Sequence, residues 1–248
     1  MTTMLPPSLL ADSPPQARLH HYLQQVSTLR ETLRAHPDDA KARDALRTWQ
    51  AERLGRTHQD LMQSKRYGPA AHFFLTDLYE PGDSGRRDAD LLKLLPTAER
   101  LLPESGLEVL AKAIELDALS EALDYQMLQT LKGQTMSAER YAKAYRDVGQ
   151  RALRERQIEL VGELGHVLDR LSRKPFLGTT LKLISGPAHL AGMGDLFSFV
   201  ERGYQVCRHM GRAEEFLSLI DSRERAIMQA LMMGDASILD GMLELRFG

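Results

Sequence analysis

The sequence predicts an all-α protein, a single multi-helix bundle of about eight to ten helices built around a central helix at 104–132. Three observations lead there. Apolar residues recur at i, i+3, i+4 and i+7 through most of the chain, and no alternating strand pattern of useful length interrupts them. Proline, glycine and capping residues punctuate these runs at helix-length intervals. The segment Glu104–Lys132 carries two opposite apolar faces, so helices should pack on both of its sides.

Residues 1–15, with four prolines, read as a flexible or draped arm, and 16–248 as one all-α domain. A first helix presents Leu19, Tyr22, Leu23, Val26 and Leu33 on one side. His36-Pro37-Asp38-Asp39 stops it and starts a second helix, which carries Ala42, Leu46 and Trp49. Gly55 marks a bend ahead of Leu61 and Met62. Together 16–65 form a charged helical hairpin that covers the core or supplies a dimer contact.

Pro69 opens a short helix running to about Tyr79, apolar on most sides and therefore buried. Asp77 falls between Phe73 and Phe74 on its wheel, and a buried carboxylate needs a basic partner or loses its charge. In the next helix Arg87 and Asp88 share the sector of Leu91 and Leu95. Near the end of the chain Arg223 sits within the stripe of Phe216, Ile220, Ile227 and Leu231. Asp77, Arg87, Asp88 and Arg223 are therefore the candidate polar cluster, either a structural ion-pair network or the floor of a ligand pocket.

On the central helix, Leu107, Leu110, Ala111, Ile114 and Ala118 form one face and Leu116, Leu119, Leu123 and Met127 the other. Between them lie Glu108, Glu115 and Gln126 on one edge and Asp117, Glu121 and Asp124 on the other, expected to run along a solvated groove. After Gly133, Ser137 caps a helix that continues to Ser172, with Gly149, Gly162 and Gly165 allowing a bend or a close approach. The glycine-rich segment after Pro175 lacks the ending of a phosphate loop and reads as a broken helix, which makes Lys182, Ser185 and His189 secondary pocket candidates. Asp195 caps a further helix with Cys207 and Met210 on its apolar stripe, and Gly211 closes it.

Glu163 and His166 form a Glu-x-x-His pair of the kind that di-iron bundles use. Such a site needs a second pair, which the chain lacks, and both residues lie on a charged stripe away from Leu160, Leu164 and Leu168. No metal and no cofactor is expected. Cys207 on an apolar stripe reads as a small core residue.

At 248 residues, 43% hydrophobic and 27% charged, the composition is that of an ordinary globular protein. The net charge of −2 offers no basic field for nucleic acid. No apolar run approaches the roughly 20 residues that span a bilayer. One cysteine and no secretory signal pattern point to the cytoplasm.

The segments FFLTDLYEPGDSGRRDADLLKLLP, RQIELVGELGHVLD and PAHLAGMGDLFSFVERGY resemble an uncharacterised all-helical proteobacterial family, from about Tyr67 onward. The matching positions include Asp77, Leu78, Tyr79, Pro81, Asp83, Arg87 and Asp88. The resemblance implies the helical fold and brings no activity or site residues with it. Two functions therefore stand open: a non-catalytic helical protein that associates with itself or a protein partner, or a bundle enclosing a small-molecule site. An internal cavity with convergent polar groups favours the second, and a solid core with a large exposed apolar patch the first.

Overall fold

The structure, a computed structural model, describes residues 12–77, 95, 99, 104–131, 135–175, 178–179, 181–183, 186, 194–240 and 245–246. The fold is all-α. Helix α1 spans Pro15–Ala35, α2 Pro37–Thr57, α3 Gln59–Gln63, α4 Gly68–Asp77 and α5 Glu104–Leu131. There follow α6 (Ala138–Val148), α7 (Arg151–Ser172), α8 (Gly194–Met210) and α9 (Glu214–Met232). Two two-residue strands, Thr135–Met136 and Leu245–Arg246, pair antiparallel beside the start of α6. No described helix is long and apolar enough to cross a membrane.

Proline starts both α1 and α2, where its missing N–H costs nothing, and Asp38 and Asp39 sit at the positive end of α2. Ser137 caps α6 by accepting from the Arg140 backbone N–H. The long helix expected over 138–172 is broken into α6 and α7. Gly149 (φ 64°) and Gln150 (φ 58°) both take left-handed backbone there, which no α-helix continues through. The bend expected at Gly55 falls instead at His58, whose ψ of 23° separates α2 from α3.

Helix α5 is central, packing against α1, α2, α6 and α7. Its two apolar faces are both buried, through Leu107, Ala111, Ile114 and Ala118 on one and Leu119, Leu123 and Met127 on the other. The first meets Leu19, Tyr22, Leu23 and Val26 of α1. The second belongs to two clusters: Leu119 and Leu123 lie with Leu153 and Leu160, while Met127 joins Trp49 and Tyr141, whose rings are 4.3 Å apart. Helices α7 and α9 cross closely at Gly165, where a Cβ would come within 2.4 Å of the Leu217 side chain.

The carboxylate edge of α5 is buried, contrary to the solvated groove that its composition predicts. Glu121 has no exposed side-chain surface and meets Arg30 at 2.9 Å and Arg47 at 3.0 Å, with Arg43 at 3.7 Å. Arg30 reaches on to Asp117 (3.0 Å) and Arg47 to Asp124 (3.2 Å), so three arginines of α1 and α2 clamp three acids of α5. Burial alone would raise the Glu121 pKa, but Arg47, Arg30 and Arg43 together hold it below the usual carboxylate value. At Asp124 burial wins, and its pKa is raised despite Arg47 and Gln50. On the opposite edge Arg156 of α7 grips Glu115 with two bonds (2.8 and 3.1 Å).

Candidate functional site

Where α2, α4, α5, α6, α7 and α9 diverge around the centre of the bundle, they leave a cavity of about 190 Å³. Its apolar wall includes Leu54, Phe74, Leu123, Ile158, Phe216 and Met228. Its polar wall includes Arg53, His58, Tyr145, Arg154 and Glu224. Gly162 also lines it, and a Cβ there would meet nothing within 4 Å.

The polar wall is built from charges set inside otherwise apolar helical rows. In α2, Leu46, Trp49 and Arg53 follow at i, i+3 and i+7, so Arg53 is carried inward one turn beyond the buried tryptophan. In α9, Leu217, Glu224, Met228 and Leu231 form a single row, and Glu224 is drawn inside with it. Arg53 Nη1 donates to both Glu224 oxygens at 2.6 Å, and His58 Nε2 lies 2.9 Å from Glu224 Oε1. Burial opposes the Glu224 charge, but Arg53 and His58 outweigh it and lower the pKa to about 2.

Glu224 is thus an acceptor only, so His58 Nε2 must carry a proton. Nδ1 is then an acceptor in the neutral ring and a donor in the charged one. That Nδ1 is buried and has no hydrogen-bond partner among the described residues.

Arg154, in the first turn of α7, is 5% exposed. Its guanidinium lies 3.5 Å from the centroid of the Tyr145 ring, and its Nε donates to the Gly149 carbonyl at 3.1 Å. Its Nη2 is buried without a partner among the described residues. Beside it, burial pushes the Tyr145 hydroxyl up to about 12, so this phenol is a neutral donor and acceptor at physiological pH. Gln157 Nε2 donates to Ser120 Oγ at 2.8 Å on the facing helix.

Of the residues that the sequence singles out, Arg223 and Lys182 lie outside the cavity lining. Arg223 faces the α2–α3 corner: its guanidinium forks onto Asp60 with two 2.7 Å bonds and donates to the Thr57 carbonyl at 3.2 Å. The reason is the rotation of α9. Leu217 and Met228 are also core residues, so the buried face is centred beyond the Phe216–Ile220 line; Glu224 turns in and Arg223 stays at the border. The side chain of Asp77 and all of Arg87 and Asp88 lie outside the described residues, as do Ser185 and His189. Lys182 is exposed.

Glu163 turns to Arg156 and Lys112, each at 2.8 Å, while His166 lies 3.8 Å from Glu214. Among the described residues no three His, Cys, Asp or Glu side chains gather as a metal set. Cys207 is buried, and burial first, with Asp169 second, pushes its thiol up to about 11, which suits a core residue.

Fold and site together define an all-α bundle around a mixed polar and apolar cavity. The chain belongs to the family described as "Domain of unknown function (DUF8198)", whose model matches residues 29–238 and so takes in every residue lining the cavity. No curated protein and no solved structure matches it.

Proposed function

We propose that this protein is a small-molecule-binding helical bundle and that its site is the cavity between α2, α4, α5, α6, α7 and α9. One observation carries the reading: the cavity is bordered by two buried side chains, His58 and Arg154, each with a polar atom lacking a partner among the described residues. An unpaired buried donor or acceptor costs about 1–3 kcal/mol, which polar groups of a ligand in the cavity would recover. A cavity of about 150 Å³ holds benzene, so the 190 Å³ here suits a molecule of about one substituted ring. Self-association has less support. The large apolar side chains that are exposed among the described residues are Leu183, Met233 and Ile238, short of an extended patch.

Gly162 supplies the test. Its missing side chain leaves open space, and it lies within α7, where leucine is favoured over glycine by about 0.8 kcal/mol. Gly162→Leu should fill the cavity without unfolding the bundle. In a calorimetric and thermal-shift screen of toluene, phenol, benzamide and benzoate, at least one probe should bind the wild type and none the variant. Absence of binding to the wild type, or equal binding to both proteins, overturns the proposal.

A further inference from the structure

Given a ligand in this cavity, as proposed above, the ions around the cavity fix its charge. Among the described residues three carboxylates line the cavity, and each has its own arginine. Glu224 is held by Arg53 at 2.6 Å, Asp124 by Arg47 at 3.2 Å and Asp221 by Arg225 at 3.0 Å. Among the described residues the remaining arginine in the lining is Arg154, and no described carboxylate pairs with it. Its contacts, a backbone carbonyl and the Tyr145 ring, stabilise the guanidinium but do not neutralise it. A buried arginine charge without a counterion is costly, and its Nη2 still has hydrogens to give.

An arginine without a counterion among the described residues calls for a negative group on the ligand. A doubly charged phosphate ester would leave the site negative, whereas a carboxylate balances it and matches the geometry of a guanidinium edge. His58 Nδ1, buried beside the same cavity and without a partner among the described residues, calls for a polar group on the ligand, and a hydroxyl, which both donates and accepts, suits it.

We propose that the ligand is a small carboxylic acid bound as its monoanion. Its apolar, ring-sized body lies against the wall formed by Phe74, Leu123 and Phe216. Its carboxylate accepts from Arg154 Nη2, and a hydroxyl on the body hydrogen-bonds with His58 Nδ1. Arg154 is then the residue that selects acids over neutral molecules of the same shape, and His58 the one that selects hydroxylated acids among them.

Isothermal titration with benzoate, benzamide, 4-hydroxybenzoate and inorganic phosphate, at fixed pH and ionic strength, tests this. Benzoate should bind the wild type at least about tenfold more tightly than benzamide, the gap expected for a hydrogen bond to a charged group. Arg154→Gln should bring benzoate down to the benzamide level and leave benzamide unchanged. The 4-hydroxyl should tighten binding in the wild type and not in His58→Phe.

If benzamide binds as well as benzoate, or phosphate binds better, the acid assignment falls while the cavity remains a binding site. If no ring compound binds the wild type, both fall. The comparison of acid with amide on the wild type decides the matter even where circular dichroism shows that Arg154→Gln does not fold.

Discussion

Glu121→Ala removes the centre of the clamp between α5 and the α1–α2 pair. The Glu121 side chain is wholly buried, and Arg30, Arg43 and Arg47 converge on it from two helices. Taking one member out of such a group typically costs 3–5 kcal/mol, because the remaining charges stay buried. Here each arginine keeps a second acid: Asp117 for Arg30, Asp44 for Arg43 and Asp124 for Arg47. The loss should therefore fall at the low end, about 3 kcal/mol, or about 6–12 °C in Tm for a chain of this length.

Urea titration at pH 7 gives the number directly, with an unchanged m value showing that the unfolding transition is the same one. Arg223→Ala is the control. That arginine also forms a forked ion pair, but with an Asp60 side chain that is 60% exposed, so its removal should cost about 1 kcal/mol or less. Equal losses in the two variants would refute the reasoning that burial, rather than the forked geometry, sets the worth of these pairs.

Two further outcomes follow from the charges and the thiol. Glu224 has its pKa lowered to about 2, so its contribution is complete above the ordinary carboxylate pKa and is lost as pH falls toward 2. At neutral pH this amounts to ~3 kcal/mol, of which ~2 disappears between pH 5 and pH 3. The stability gap between wild type and Glu224→Gln, measured by urea unfolding, should narrow by that amount over this interval, and a gap independent of pH contradicts it. Cys207, buried and pushed up to about 11, should resist a maleimide at pH 8 in the native protein and react fully in denaturant; rapid native labelling would place the thiol at an opening.

Helix faces were legible wherever apolar spacing alone decides them. Leu19, Tyr22, Leu23, Val26 and Leu33 are all buried in α1 as their spacing predicts, and both faces of α5 are too. The charges were harder to read. Arg30 continues the row of Val26 and Leu33, Glu121 that of Ile114 and Ala118, Arg53 that of Leu46 and Trp49.

Each continues an apolar row, Glu121 included although its edge reads as solvated, and whether it is stable inside depends on an opposite charge from another helix at the same level. That register between helices is not written in any one of them. The same ambiguity put Arg223 rather than Glu224 on the inner face of α9, two neighbours about 100° apart on the wheel. The glycines show the limit as well. Gly149, Gly162 and Gly165 look alike in sequence, yet one breaks a helix, one borders the cavity and one lets two helices touch.

The most direct test of a ligand site at the centre of the bundle is a methyl-resolved NMR titration of the intact protein with 4-hydroxybenzoate. The signals of Leu123, Ile158, Met228 and Leu54, which share the cavity wall but come from four different helices, should shift together and saturate with one affinity. Shifts confined to outlying methyls such as Leu183 and Ile238, or no saturable shift at all, would contradict the account.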